Sequence, residues 1–255
     1  DDVFKKGIDV GDDFFKKASE SALKLDDLDK SMKYLKKART INDNETYRQE
    51  WDRIVRMKKD IEIALKLYTD ENKVEESIDE LVFLKESNYP NCALIDYSLG
   101  KIYQEEEDYS KAFEWFESAV KLNPYRVKYK DSLNYIIGKF INDGDEYYSM
   151  RDFVSAIENY LFADRNLSTF IDKSEDEKAI LLKLKFKIAK THYFLKNYND
   201  AMSVLESLVL QDPKNYEAYK LLGDVYKKES SLELALDNYL KAVGINDQYE
   251  KAYLA

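Results

Sequence analysis

The chain has 255 residues, a formal net charge of −10 at pH 7, 35% charged and 14% aromatic residues, and only seven glycines and three prolines. Its acidic and basic residues are interleaved with no basic stripe, which excludes the counterion-displacing face that nucleic-acid binding needs, and no apolar run approaches the ~18 residues of a membrane span. A single cysteine, Cys92, excludes an internal disulfide framework. Few breakers and abundant Lys, Glu, Leu and Ala favour long helices, and the aromatics supply a core that a disordered acidic tail lacks. The opening residues DDVFKKGIDV contain no Met and no signal-peptide pattern. The expectation is therefore that the sequence starts inside a longer precursor, with the compartment open between cytoplasm and cell envelope.

In chain order, one spacing recurs. The first copy, 12–45, places Ser19, Ala22, Ser31, Leu35 and Ala38 at fixed offsets, and the second, 58–91, repeats them as Leu65, Tyr68, Ser77, Leu81 and Leu84. The copy at 93–126 reads Leu99-Gly100, Tyr103, Ala112, Phe116, Ala119 and a closing Pro124. Next come Gly144, Tyr147, Ala156, Tyr160 and Ala163 in 137–170, then Ala189, His192, Ala201, Leu205 and Leu208 in 182–215. Leu222-Gly223, Tyr226, Ala235, Tyr239 and Ala242 complete 216–249, and YEKAY at 249–253 predicts the start of a further helix at 250–255. A small residue at the glycine slot and another twelve residues later let two antiparallel helices approach. Bulky residues three and four positions on fill the gap between them. Each copy is thus a helical hairpin that must stack on its neighbours to bury its apolar stripe.

Successive second small slots, Ser31, Ser77, Ala112, Ala156, Ala201 and Ala235, lie 46, 35, 44, 45 and 34 residues apart. An excess of ten to twelve residues is close to three helical turns of ~3.6 residues and preserves a buried face. Tyr47, Trp51, Ile54 and Val55 lead at helical spacing into Ile61, and Tyr129, Leu133, Ile136, Ile137 and Phe140 run toward Tyr147. Ser174 with Glu177 reads as a capping box ahead of Leu181, Leu184 and Ile188. The pattern predicts three extended first helices, near 46–69, 126–149 and 175–195.

The layout resembles the tetratricopeptide repeat, W-x2-L-G-x2-Y followed by A-x3-F and P, although Asp96 and Tyr219 stand in the tryptophan slot. The resemblance implies an all-α, right-handed superhelical solenoid of about six helical hairpins, several with extended first helices, forming a single array over 1–255. It also implies a concave groove lined by residues six, three and two before the glycine slot and one, four and five after it. Those slots hold Leu94, Tyr97, Ser98, Lys101, Gln104 and Glu105 in one unit and Ile141, Asn142, Asp145, Tyr148 and Ser149 in the next. In the third they hold Lys183, Phe186, Lys187, Lys190, Tyr193 and Phe194. Family members that clamp a C-terminal dicarboxylate use five such slots. Asn142, Lys183 and Lys187 fit three of them, and Tyr97 and Lys101 replace the other Lys-Asn pair.

Catalytic chemistry does not emerge. One histidine, His192, excludes two-histidine metal sites, and in the interior tyrosine slot it reads as a packed residue. Cys92 has no cationic neighbours in sequence to lower its pKa. The Ser-x-x-Lys matches at Ser98 and Ser118 fall on helices, and the clusters around Asp70 and Asp143 lack calcium-loop spacing. The expected function is a non-catalytic interaction scaffold without cofactor or metal. Its groove candidates are Tyr97, Lys101, Asn142, Tyr148, Lys183, Phe186, Lys187, Lys190 and Tyr193, and its partner is an acidic or amphipathic protein segment. Two other readings remain: a peptide-sensing regulator, and the targeting region of a larger enzyme. The aromatics among these candidates also fit a role in sealing the long helices against one another.

Overall fold

A computed structural model of the chain describes residues 10–19, 28–168 and 175–246. Among these the regular structure is entirely helical. Helix α1 occupies residues 10–19. It is followed by α2 (Leu28–Ile41), α3 (Glu45–Thr69), α4 (Val74–Phe83) with a π-helical turn at Leu84–Asn88, α5 (Ala93–Glu105) and α6 (Tyr109–Leu122). Then come α7 (Val127–Ser149), α8 (Phe153–Ser168), α9 (Glu175–Phe194), α10 (Tyr198–Gln211), α11 (Tyr216–Lys228) and α12 (Leu232–Ile245). The three longest helices, α3, α7 and α9, with 25, 23 and 20 residues, are the extended first helices that the spacing predicts. Ala22, the capping residue Ser174 and the expected helix at 250–255 lie outside the described residues. The chain divides into two compact units, 1–136 and 137–255.

The glycine slot works by contact with a ring. A Cβ built on Gly100 would sit 2.6 Å from Phe116, one on Gly144 2.6 Å from Tyr160, and one on Gly223 2.5 Å from Tyr239. In each case the aromatic sixteen residues later, on the second helix, packs directly against the backbone of the first. Where the slot holds Ser19, Leu65 or Ala189 instead, the residue sixteen later is leucine: Leu35, Leu81 and Leu205, all fully buried. The less regular copies therefore carry a matched exchange, with a thinner partner facing a thicker slot. The serines in the second small slot of the first two copies are matched as well. Ser31 Oγ donates to the carbonyl of Ala18 and Ser77 Oγ to that of Ala64, each at 2.8 Å and each thirteen residues back. Each buried hydroxyl is satisfied across the hairpin.

The turns inside the hairpins share one geometry. Asn72, Glu107, Arg151, Lys196 and Ser230, each seven residues after the glycine slot, have φ between 52° and 63°. In four of them the next N–H reaches back five residues, as from Asp108 to Tyr103 and Asp152 to Tyr147, both 2.9 Å. That is the Schellman arrangement that closes a helix through a left-handed residue. The chain builds it without glycine, at a cost of about 1–2 kcal/mol per residue, and Asp108 and Asp152 then cap the second helices by accepting from Lys111 and Ser155 N–H groups.

Asp96, in the tryptophan slot of α5, is fully buried. The π-helical turn carries Lys85 to its carboxylate, Ser118 Oγ donates to the other oxygen, and the ammonium lies 5.6 Å from the Trp115 ring centroid. The sequence gives no sign of this pair, because it depends on one extra residue per turn at Leu84–Asn88.

Two substitutions test this account. Gly100→Ala should destabilise by about 1–3 kcal/mol through overpacking on Phe116. Adding Phe116→Leu, which copies the Ala189/Leu205 pair, should recover part of that loss in a double-mutant cycle read by urea unfolding. Asp96→Ala should cost about 3–5 kcal/mol by stranding the Lys85 ammonium, whereas a cost below ~1 kcal/mol would show the pair to be a solvated surface contact.

Candidate functional site

The densest set of groove-slot residues lies in the second unit. It is built on the end of α7, the start of α8 and one face each of α9 and α11. A cavity of about 370 Å³ is lined by Phe186, Lys190, Tyr193 and Phe194 of α9 and by Glu217, Lys220, Leu221 and Asp224 of α11. Beside it the aromatics form a chain. Tyr148 sits edge-on to Phe153 and Phe194 at 5.4 and 5.9 Å, Phe153 and Phe194 stack at 5.0 Å, and Tyr193 meets Phe194 and Tyr198 at 5.7 and 5.9 Å. Even so packed, Phe194 remains 46% exposed.

The charges of this face are not equally available. Lys187 is held by Asp145, which also accepts the Tyr160 hydroxyl at 2.6 Å. Lys220 is likewise held by Asp224, which accepts the Tyr239 hydroxyl at 2.9 Å. Burial, reinforced by the adjacent carboxylate, pushes both phenols well above the ordinary tyrosine range, so they stay protonated donors. Lys190 and Lys183 have no carboxylate partner among the described residues, and both are exposed. Lys190 lies 5.2 Å from the Tyr148 ring centroid, and burial raises the Tyr148 phenol to about 12.

An aspartate follows the glycine only where the facing aromatic is tyrosine: Gly144-Asp145 with Tyr160 and Gly223-Asp224 with Tyr239. Gly100 is followed by Lys101 and faces Phe116, which has no hydroxyl to offer.

Asn142, Tyr97 and Lys101 are not among the residues that line this cavity. Asn142 is exposed on α7. Tyr97 and Lys101 belong to the first unit. There Tyr97 packs against Phe116 and Tyr129 at 5.6 and 4.7 Å with Lys128 4.4 Å from its ring centroid, and Lys101 Nζ donates to Gln104 at 3.2 Å. Glu217, Lys220, Leu221 and Asp224 are absent from the sequence candidates. They are nonetheless the residues six, three and two before Gly223 and one after it, so the same slot rule carried one unit further finds them.

Family models described as tetratricopeptide repeat match residues 97–126 and 186–250. Those stretches of the chain are tetratricopeptide repeats. The second match contains every residue of the α9–α11 cavity. Among solved structures the chain is similar to YrrB, a tetratricopeptide protein with an unusual peptide-binding site, at 18% identity over 76% of this chain and 88% of that one, with a TM-score of 0.37. The tetratricopeptide domain of P58(IPK) is 14% identical over 96% and 79% of the two chains, TM-score 0.40. MamA is 15% identical over 72% and 95%, TM-score 0.34. No curated protein matches the sequence. Tetratricopeptide repeats are protein–protein interaction modules, typically non-catalytic, and the chain is an interaction scaffold in that sense. Among the described residues no group of His, Cys, Asp and Glu could hold a metal ion, and no helix is long and apolar enough to cross a membrane.

His192 occupies the tyrosine slot of its tetratricopeptide repeat, and that slot is less interior than the pattern suggests. Tyr68 and Tyr226 extend past the apolar stripe to donate to Glu105 and Glu206 at 2.9 and 2.7 Å, and Tyr147 is 39% exposed. The shorter His192 side chain stops inside. Its buried Nδ1 lacks a hydrogen bond and lies 4.0 Å from an Asp200 oxygen. Burial lowers its pKa below the ordinary value near 6.5, only partly opposed by Asp200. Between that lowered value and 6.5 the unfolded chain binds the proton more tightly than the folded one, so stability is full above about pH 6.5 and is lost as pH falls through that window. Urea midpoints should drop between about pH 7 and pH 5.5, and His192→Phe, which removes the only histidine in the chain, should abolish the drop. A wild-type midpoint constant over this range would contradict the assignment.

Proposed function

We propose that the α9–α11 face holds an amphipathic segment of another protein, with an apolar side chain in the cavity and a carboxylate on the Lys183–Lys190 edge. The observation that carries this reading is the unequal pairing of the lysines. Asp145 neutralises Lys187 and Asp224 neutralises Lys220, whereas Lys190 lines the cavity beside its aromatic side chains without an ion-pair partner among the described residues. A carboxylate brought there gains a charge-assisted hydrogen bond without first breaking one. Phe186, Tyr193, Phe194 and Leu221 offer the aromatic and aliphatic anchors on which interface energy concentrates. The cavity lining contains two lysines and two carboxylates, Glu217 and Asp224, so its neutrality favours an amphipathic segment over a uniformly acidic one.

Fluorescence anisotropy with labelled peptides that pair an aromatic residue with glutamates tests the reading, against the same peptides carrying lysine in place of glutamate. The glutamate series should bind. Tyr193→Ala and Lys190→Ala should each weaken it by about tenfold, or ~1.4 kcal/mol, and Lys241→Ala should leave it unchanged. Equal affinity for wild type and both site variants would remove this face from consideration.

A further inference from the structure

By sequence the charges are interleaved, but by element they segregate. Helix α2 carries Lys30, Lys33, Lys36, Lys37 and Arg39 against one acidic residue, Asp29. Helix α4 carries Glu75, Glu76, Asp79 and Glu80 and no basic residue. Both helices pack on α3 in the first unit. They are equivalent second helices of successive hairpins, as the matching hydrogen bonds of Ser31 and Ser77, 46 residues apart, establish.

At that same offset of 46, exposed Lys30 corresponds to exposed Glu76 and exposed Lys33 to exposed Asp79. Lys37 corresponds to Phe83, which is 55% exposed, and Thr40 to exposed Glu86. Positions i, i+3 and i+7 share one helix face. Two copies of the same helical surface therefore stand in one unit, one basic and one acidic with an aromatic at its centre. Lys33 and Asp79 have no ion-pair partner among the described residues, and Glu76 has only a surface contact to Lys73 at 3.4 Å.

We propose that this surface is a docking site for a second copy of the chain, paired about a two-fold axis that lays α2 of each copy on α4 of the other. Charge complementarity names the occupant. An isologous contact requires a self-complementary patch, and two α-helical stretches matched in register up to Phe83, with inverted charge, supply one. Antiparallel pairing sets the Lys37 end of α2 against Glu76 and Asp79 and the Lys30 end against Glu86, and the lysine stems cover Phe83. The contact is weak and reversible, because it is held by exposed charges that salt screens. It lies within the first unit and is independent of the α9–α11 face.

Sedimentation equilibrium at about 100 μM protein reads the association directly. Wild type should dimerise at about 50 mM salt, and its dissociation constant should rise at least tenfold by about 500 mM. K33E/K37E should be monomeric, and so should E76K/D79K, each with native helicity by circular dichroism, although Lys37 also lies 5.3 Å from the Phe14 ring centroid. An equimolar mixture of the two should restore the dimer, because the mixed pair recovers both contacts. A monomeric wild type at low salt, dimerisation unaffected by either reversal, or failure of the mixture to associate would each overturn the proposal. Binding of polyglutamate or a DNA duplex by a monomeric wild type would instead assign the basic face to a foreign polyanion.

Discussion

The fold rests on the contact between an aromatic ring and the bare backbone of a facing helix. Three times a ring on the second helix of a hairpin lies where a Cβ on the first would stand. This sets the helix separation, and through it which side chains reach the far side of the first helix. A hairpin with Ala189 and Leu205, or with Leu65 and Leu81, solves the same problem by sharing the volume differently between its two helices. Core packing tolerates such exchanges when total volume is kept. This is why the irregular copies need not be read as defective ones.

The same contact connects the core to the candidate groove. When the ring is tyrosine, its hydroxyl emerges beside the residue after the glycine, and an aspartate there accepts it. That aspartate in turn engages a lysine on the groove side, Lys187 in one repeat and Lys220 in the other. Where the core ring is tyrosine, the aspartate that accepts its hydroxyl also neutralises a lysine of α9 or α11. Lys190, one turn further along α9 than Lys187, has no carboxylate partner among the described residues.

The surface follows a different rule. Outward positions do not determine whether a hairpin closes, so they are free to diverge between copies of one backbone. Lys33 and Asp79 occupy one register on two equivalent helices and bear opposite charges. Composition and net charge average over such differences, and only the assignment of each residue to a helix face exposes them.

Helix class, repeat spacing and the extended helices α3, α7 and α9 could be read from the sequence alone, because a 3.6-residue period and a small-residue phase marker are local properties of the chain. The candidate residues of the α9 face followed from the slot offsets that the tetratricopeptide resemblance implies. Three features were not legible in the sequence. The Lys85–Asp96 pair depends on a π-helical turn, Lys187 is bound by a residue 42 positions away, and His192 stops short of the carboxylates that its tyrosine counterparts reach. Each is settled by distances between helices that meet only after the hairpins stack. Periodicity therefore determined which face of each helix is buried, and tertiary packing alone decided which charges on the remaining faces are already paired.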